Sequence, residues 1–323
     1  MKKVTLKDIA NKLNVTVGTV SHVLNGIDDI SVETKMKVLK TAEKMGYVSN
    51  NSAVSLRLGK TNTIAVIVPD ISNPHIAYQI KLIEDKLRNL NYSVIILNTN
   101  EDDSLEYKAI TTALSKQVDG VLLCPCQQSS NGVEFLKKIE MPYALIGRYF
   151  SQIDTDYICA DDVKGGYLAG KYLIEKGCKN PLYVGSYKYI EVGNNRFEGL
   201  KKAYEEAGIT IDEEKYIPIS PVSENINELT EDIVKKYNFD SIVAFSDIIA
   251  FEIMPVINKV KKVPVVGFDA ISSHLYLPFC YASVGMVNKG WADKATEVLL
   301  EKINGEKRVF HELIDVKMFE FNI

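Results

Sequence analysis

From residue 63 to about residue 266 the chain repeats one pattern, a short apolar run followed by a stretch with helical spacing. The runs are Ile64–Val68, Val94–Leu97, Val121–Leu123, Ala144–Ile146, Leu182–Val184, Ile242–Ala244 and Val263–Val266. Helical stretches lie between most of them, such as 75–90, 165–176 and 195–207. Strand and helix in alternation build parallel sheets covered by helices. So many strands suit two doubly wound lobes better than one sheet. Ligands of such folds bind beyond the carboxyl ends of the strands, and a cleft between two lobes would bring several of those ends together. The length of 323 residues also fits about two domains of ~150 residues.

A composition of 46% hydrophobic and 25% charged residues allows a large core and excludes collagen-like, low-complexity and disordered chains. No run of about 18 apolar residues exists to span a membrane. The first 25 residues carry Lys2, Lys3, Lys7, Asp8 and Lys12 without an apolar segment, so a cytoplasmic location is expected. Five cysteines, an odd number in a long chain, do not read as a disulfide framework.

Charge divides the chain. Residues 1–60 hold nine Lys and one Arg against three Asp and two Glu, a balance of +5, and the rest carries −9. A basic head on an acidic body is the footprint of a polyanion-binding module on a soluble carrier. Within the head, Thr5-Leu6-Lys7-Asp8 reads as a capping box that opens a helix with Ile9, Ala10 and Leu13 at helical spacing. Asn14 suits a left-handed turn and Thr16 a second cap. Val20, Val23 and Leu24 form the buried stripe of the second helix, which Asn25-Gly26 stops. A third helix begins near Ser31, turns Val38, Ala42 and Met45 inward and ends at Gly46. Two short helices joined by a tight turn and backed by a third describe a helix-turn-helix domain. Its second helix leaves Val17, Gly18, Ser21 and His22 outward, where base edges in a major groove would be read. The stretch 50–60, NNSAVSLRLGK, is too short to hold a helix alone. A helix that forms on DNA, with an apolar wedge at Leu56, accounts for its exposed leucines.

VTLKDIANKLNVTVGTVSHVLNG, followed by SVETKMKVLKTAEKMGYVSNNSAVSLRLGKTNTIAVIVPDISNP, resembles the lactose-repressor (LacI/GalR) family of bacterial transcription regulators. The resemblance rests on the helix-turn-helix, on Gly46, Tyr47 and Asn50, and on the hinge before a strand; it continues more weakly to about residue 300. It implies a helix-turn-helix domain over 1–49, a hinge helix over 50–60, and an effector-binding and dimerisation body over 61–323 like periplasmic binding proteins. The first lobe would comprise about 61–160 and 289–323, the second about 161–288. DNA contacts are expected at Thr5, Thr16, Val17, Gly18, Thr19, Ser21, His22, Asn25, Asn50, Ser55 and Leu56.

The effector candidates follow strands or open helices: His75, Arg148, Arg196, Ser246, Asp247 and Asp269. R-x-x-G at Arg196 and Gly199 and GFD at 267–269 match the family's effector-binding arginine and acid, and Asp161-Asp162 stands where it often has Asp-Asn. Arg forks and carboxylates hold hydroxyl-rich ligands by charge-assisted hydrogen bonds. Arg148 beside Arg196 could favour an anion, or one Arg could bind a protein carboxylate. Several positions depart from the family pattern: His22, Gly18, Ser49, Pro221 and Met286-Val287.

No nucleophile elbow, phosphate loop, dinucleotide fingerprint or H-E-x-x-H occurs, and the histidines at 22, 75, 274 and 311 share no ligand spacing. Cys124-Pro125-Cys126 reads as buried thiols before a redox or metal site. The expectation is therefore no enzyme, no cofactor and no metal. The reading is a homodimeric, sequence-specific regulator, a repressor of carbohydrate-utilisation genes that binds palindromic operator DNA and senses a small sugar-like metabolite. Its alternatives are a catabolite-type regulator answering to a phosphocarrier protein and a purine-sensing repressor.

Overall fold

Thr5 starts the first helix by trading hydrogen bonds with Asp8. Its Oγ1 accepts from the Asp8 N–H at 3.3 Å, and the Asp8 carboxylate accepts from the Thr5 N–H at 2.8 Å. These bonds satisfy donors that the first turn leaves without partners. The helix, α1 (Leu6–Leu13), ends at Asn14, which adopts the left-handed conformation at φ 52°. Thr16 then caps α2 (Val17–Leu24), its Oγ1 taking the Thr19 N–H at 3.0 Å. Ser31 caps α3 (Val32–Met45), and Gly46 closes it at φ 66°. Ile9, Ala10, Val20, Val23, Val38 and Ala42 are buried together, with Leu13, Val15, Leu24 and Met45 packed around them.

The computed structural model describes residues 4–47, 60–219, 226–275, 282–288 and 290–321. The chain divides into two units, Met1–Thr61 and Asn62–Ile323. The expected hinge contacts Asn50, Ser55 and Leu56 lie outside the described residues.

The strands of the second unit are β1 (Thr63–Val68), β2 (Ser93–Asn98), β3 (Gly120–Leu123), β4 (Tyr143–Ile146), β5 (Tyr157–Ala160), β6 (Pro181–Gly185), β7 (Tyr216–Pro218), β8 (Ser241–Ala244), β9 (Val265–Phe268), β10 (Ala282–Met286), β11 (His311–Ile314) and β12 (Val316–Glu320). They form two six-stranded sheets, ordered β11-β5-β4-β3-β1-β2 and β12-β10-β9-β8-β6-β7. All pairings are parallel except β10 with β12.

Alternation along β1 shows why helices cover both faces. Ile64, Val66 and Val68 pack toward helices Pro74–Asn89 and Ala292–Ile303. Ala65 and Ile67 point the other way, toward helices Asp103–Ser115 and Asn131–Lys138. The second sheet repeats the arrangement. Helices Asp162–Glu175 and Glu191–Glu206 lie on one face, and Ile226–Lys236 and Asp247–Val260 on the other.

The expected strand at Val263–Val266 forms two residues later, at 265–268. The expected first-lobe segment 289–323 is corrected by the pairing. Its 311–314 stretch joins the first sheet beside β5, but 316–320 pairs with β10 in the second. Both are edge strands, and each pairs with a strand distant in sequence, so the sheet that each joins is not written in the local pattern. Among strands, the chain passes from the first sheet to the second after β5, back after β10, and over again at Asp315 between β11 and β12.

Candidate functional site

The outward face of α2 carries small and polar groups. Val17 and Gly18 are exposed, and Val20 and Val23 point into the head. Asn25 Nδ2 donates to Ser21 Oγ at 3.1 Å, and the hydroxyls of Thr16 and Thr19 lie 2.9 Å apart. His22 Nδ1 is 2.7 Å from the Asp29 carboxylate. A carboxylate can only accept, so Nδ1 carries the proton in this contact and Nε2 is the ring nitrogen left over. Gly18 has no packing reason to lack a side chain, since a β-carbon there would meet only Thr16 Oγ1, at 3.5 Å.

In the body, the carboxyl ends of both sheets converge on a cavity of about 110 Å³ between the lobes. Asn73, His75, Cys124, Gly147, Arg148 and Trp291 line it from the first lobe's side. Asp161, Asp162, Arg196, Ser246, Phe268 and Asp269 line it from the other. Arg196 is the pivot of that second wall. Its Nε donates to Asp162 at 2.7 Å, its Nη1 to the carbonyl of Phe245, and its Nη2 lies 4.0 Å from Asp269. The guanidinium is sandwiched between aromatic faces, 5.1 Å from the Phe245 ring centre and 4.1 Å from that of Phe268. Burial pushes the Asp162 carboxyl up, and Arg196 opposes that shift. The guanidinium itself stays charged, its pKa raised by the neighbouring carboxylates against burial.

The sequence candidates separate at this point. Arg196, Asp269, Arg148, His75 and Ser246 reach the cavity; Asp247 does not. Asp247 is fully buried, and its carboxylate accepts the Ile271 N–H at 2.8 Å, tying a helix start to the next loop. Ser246, rather than Asp247, caps that helix through the Ile249 N–H. Arg148 is committed within the protein. Its two terminal nitrogens donate to the Glu101 carboxylate at 2.8 and 2.6 Å, with a further bond to the Pro125 carbonyl at 3.2 Å. His75 stands edge-on to Trp291, ring centres 6.4 Å apart.

Reasoning from sequence left Trp291, Phe268, Asn73 and Cys124 out of the effector set. Trp291, the sole tryptophan, follows β10, a strand absent from the apolar runs read in the sequence, so the rule of looking after strands passes over it. Cys124 and Cys126 are both buried, and burial pushes the Cys124 thiol up to about 12. Among the described residues no cluster of His, Cys, Asp and Glu is placed to hold a metal ion.

The lobes also touch beside the cavity. The Glu191 carboxylate accepts from the Ser151 N–H at 3.1 Å and its hydroxyl at 3.0 Å. Gln127 bridges the same gap, donating to the Tyr149 carbonyl at 2.6 Å and accepting from the Glu191 N–H at 3.3 Å.

A helix-turn-helix head joined to a two-lobed body with a ligand-sized cleft defines a DNA-binding transcription regulator. Residues 5–50 match bacterial regulatory proteins of the lacI family, and residues 61–287 match the periplasmic binding proteins and sugar binding domain of LacI family. The HTH-type transcriptional regulator DegA of Bacillus subtilis (strain 168) is 31% identical over 83% of this chain and 82% of its own length. This chain belongs to the LacI family. The lac repressor dimer bound to operator and the anti-inducer ONPF shares its fold, with a TM-score of 0.84 at 18% identity over 99% of this chain and 98% of that one. A periplasmic binding protein/LacI transcriptional regulator from Alkaliphilus metalliredigens QYMF, complexed with D-xylulofuranose, reaches a TM-score of 0.70 at 25% identity over 80% of this chain and 97% of that one. Among the described residues no helix is long and apolar enough to cross a membrane.

Proposed function

We propose that this regulator is a cytoplasmic repressor of carbohydrate-utilisation genes that binds palindromic operator DNA as a homodimer and senses a small sugar-like metabolite. The observation that carries the reading is the cavity wall where Arg196 and Asp269 face the same space between two lobes. A ligand there touches both lobes, so it binds one lobe arrangement better than another. That difference in affinity is the coupling energy available to alter DNA binding. The relative complexed with D-xylulofuranose supports a sugar as the class of ligand. The lac repressor bound to its operator as a dimer supports a twofold DNA site. Arg196 and Asp269 are the effector contacts, and Val17, Gly18, Ser21 and His22 lie at the bases.

The test is a selection of binding sites from random DNA by the full-length protein, repeated with sugars added. The expected product is a palindrome with half-sites about one or two helical turns apart, whose affinity changes when a sugar is present. A selected site without twofold symmetry overturns the dimeric reading, and indifference to every sugar overturns the sensing reading.

A further inference from the structure

The cations around the cavity are already matched. Arg148 is held by both oxygens of Glu101, and Arg196 by Asp162. Helix starts that face a cavity are natural anion sites, and three belong to the second lobe here. Each carries a carboxylate of the chain in its first turn: Asp162, Glu191 and Asp247. Asp161 adds another, accepting the Lys164 N–H at 2.9 Å. At the start of helix Asp162–Glu175 an anion would therefore meet the Asp161 carboxylate already in place, and at the other two it would meet a neighbouring carboxylate of the chain.

Asp269 is left over. Its nearest cation is Arg196 Nη2 at 4.0 Å, and among the described residues no hydrogen bond to its carboxylate is within reach. The two guanidiniums that line or face the cavity stand against four carboxylates, Glu101, Asp161, Asp162 and Asp269. An incoming anion would lose its water and meet an uncompensated negative charge. A hydroxyl oxygen, by contrast, fits the 4.0 Å gap, accepting from Arg196 Nη2 and donating to Asp269. The cavity's volume of about 110 Å³ lies well below the ~300 Å³ at which drug-sized pockets begin, so it leaves room for no more than one small ring.

We infer that the cavity takes a single-ring, uncharged polyol and rejects the phosphate ester of the same sugar. The signal is then the free sugar, ahead of any phosphorylating reaction. This rests on the effector reading above and narrows it.

Matched pairs test it on the full-length protein by thermal shift and calorimetry: D-ribose with ribose 5-phosphate, D-xylulose with xylulose 5-phosphate, D-glucose with glucose 6-phosphate, and hypoxanthine and inorganic phosphate alone. At least one free sugar should bind, with its ester at least about 100-fold weaker. An ester that binds as well as its parent, or better, overturns the inference and leaves the effector reading standing. Binding of hypoxanthine alone, or of none of these compounds, overturns both. Asp269→Asn removes the unmatched charge without uncovering a buried cation. It should weaken the free sugar at least about 30-fold and narrow its advantage over the ester. An unchanged ratio in that variant overturns the role given to Asp269.

Discussion

Gly166 runs so close to Arg196 that a β-carbon on it would stand 1.8 Å from the Arg196 carbonyl oxygen. Gly199 repeats the contact in reverse, with a β-carbon falling 1.9 Å from the carbonyl oxygen of Val163. The helices bearing Asp162 and Arg196 therefore meet backbone to backbone, and that closeness delivers the guanidinium to the carboxylate. Gly166→Ala should force them apart. It should cost about 3 kcal/mol or more and weaken effector binding with it, read by denaturant unfolding and calorimetry. Wild-type stability would mean that the helices slide apart at little cost.

Arg196 and Asp269 should fail differently. Each variant, Arg196→Gln and Asp269→Asn, should lose about 30- to 1000-fold in effector affinity. Only Arg196→Gln should also destabilise the body, by about 3–5 kcal/mol, because it strands the buried Asp162 carboxylate. DNA binding without effector should survive in Asp269→Asn if the effector is an inducer, and effector-dependent DNA binding should be lost if it is a corepressor. Equal melting temperatures for the two variants would contradict the ion-pair role of Arg196.

Glu106 makes stability depend on pH. Its carboxyl is buried and accepts the Cys126 N–H at 2.7 Å, and burial pushes its pKa up despite that bond. A raised acid keeps its proton longer in the folded chain than in the unfolded one. The body should therefore lose stability as pH rises from the ordinary Glu value through the folded one. Glu106→Gln keeps an acceptor for Cys126 and cannot ionise, so its stability should fall less over that window. Parallel curves for the two proteins in urea titrations would rule this out.

His22 should read a base through Nε2. The Asp29 carboxylate, 2.7 Å from Nδ1, occupies that nitrogen and leaves Nε2 as the ring atom for a base edge. His22→Ala should relax preference at one base pair per half-site, by about 1–3 kcal/mol. Site selection with the variant measures this, and an unchanged consensus would show a solvated histidine.

Gly18 should trade stability for approach. An alanine fits, with only Thr16 Oγ1 near at 3.5 Å, and favours the helix by about 1 kcal/mol. Gly18→Ala should stabilise the head yet weaken DNA binding, because the added methyl faces the partner. Stronger binding by the variant would show that nothing approaches the helix there.

What the sequence determined by itself is local. The Thr5–Asp8 box, the left-handed Asn14, the caps at Thr16 and Ser31 and the stop at Gly46 depend on residues a few positions apart. Their partners can be read directly from the chain. The buried runs of β1, β3, β4, β6 and β8 were legible for the same reason, because a strand covered on both faces is apolar throughout. Tertiary structure decided what each polar group does. Arg148 and Arg196 have the same side chain and both line the cavity, yet one is paired with Glu101, 47 residues away, and the other with Asp162, 34 residues away, beside Asp269. Asp247 and Asp269 both follow strands, yet the first bonds the Ile271 N–H and the second lines the cavity 4.0 Å from Arg196 Nη2. Neither outcome is encoded in spacing. A buried charge must be compensated by whatever the fold brings beside it, and only folding brings together groups that stand dozens of residues apart.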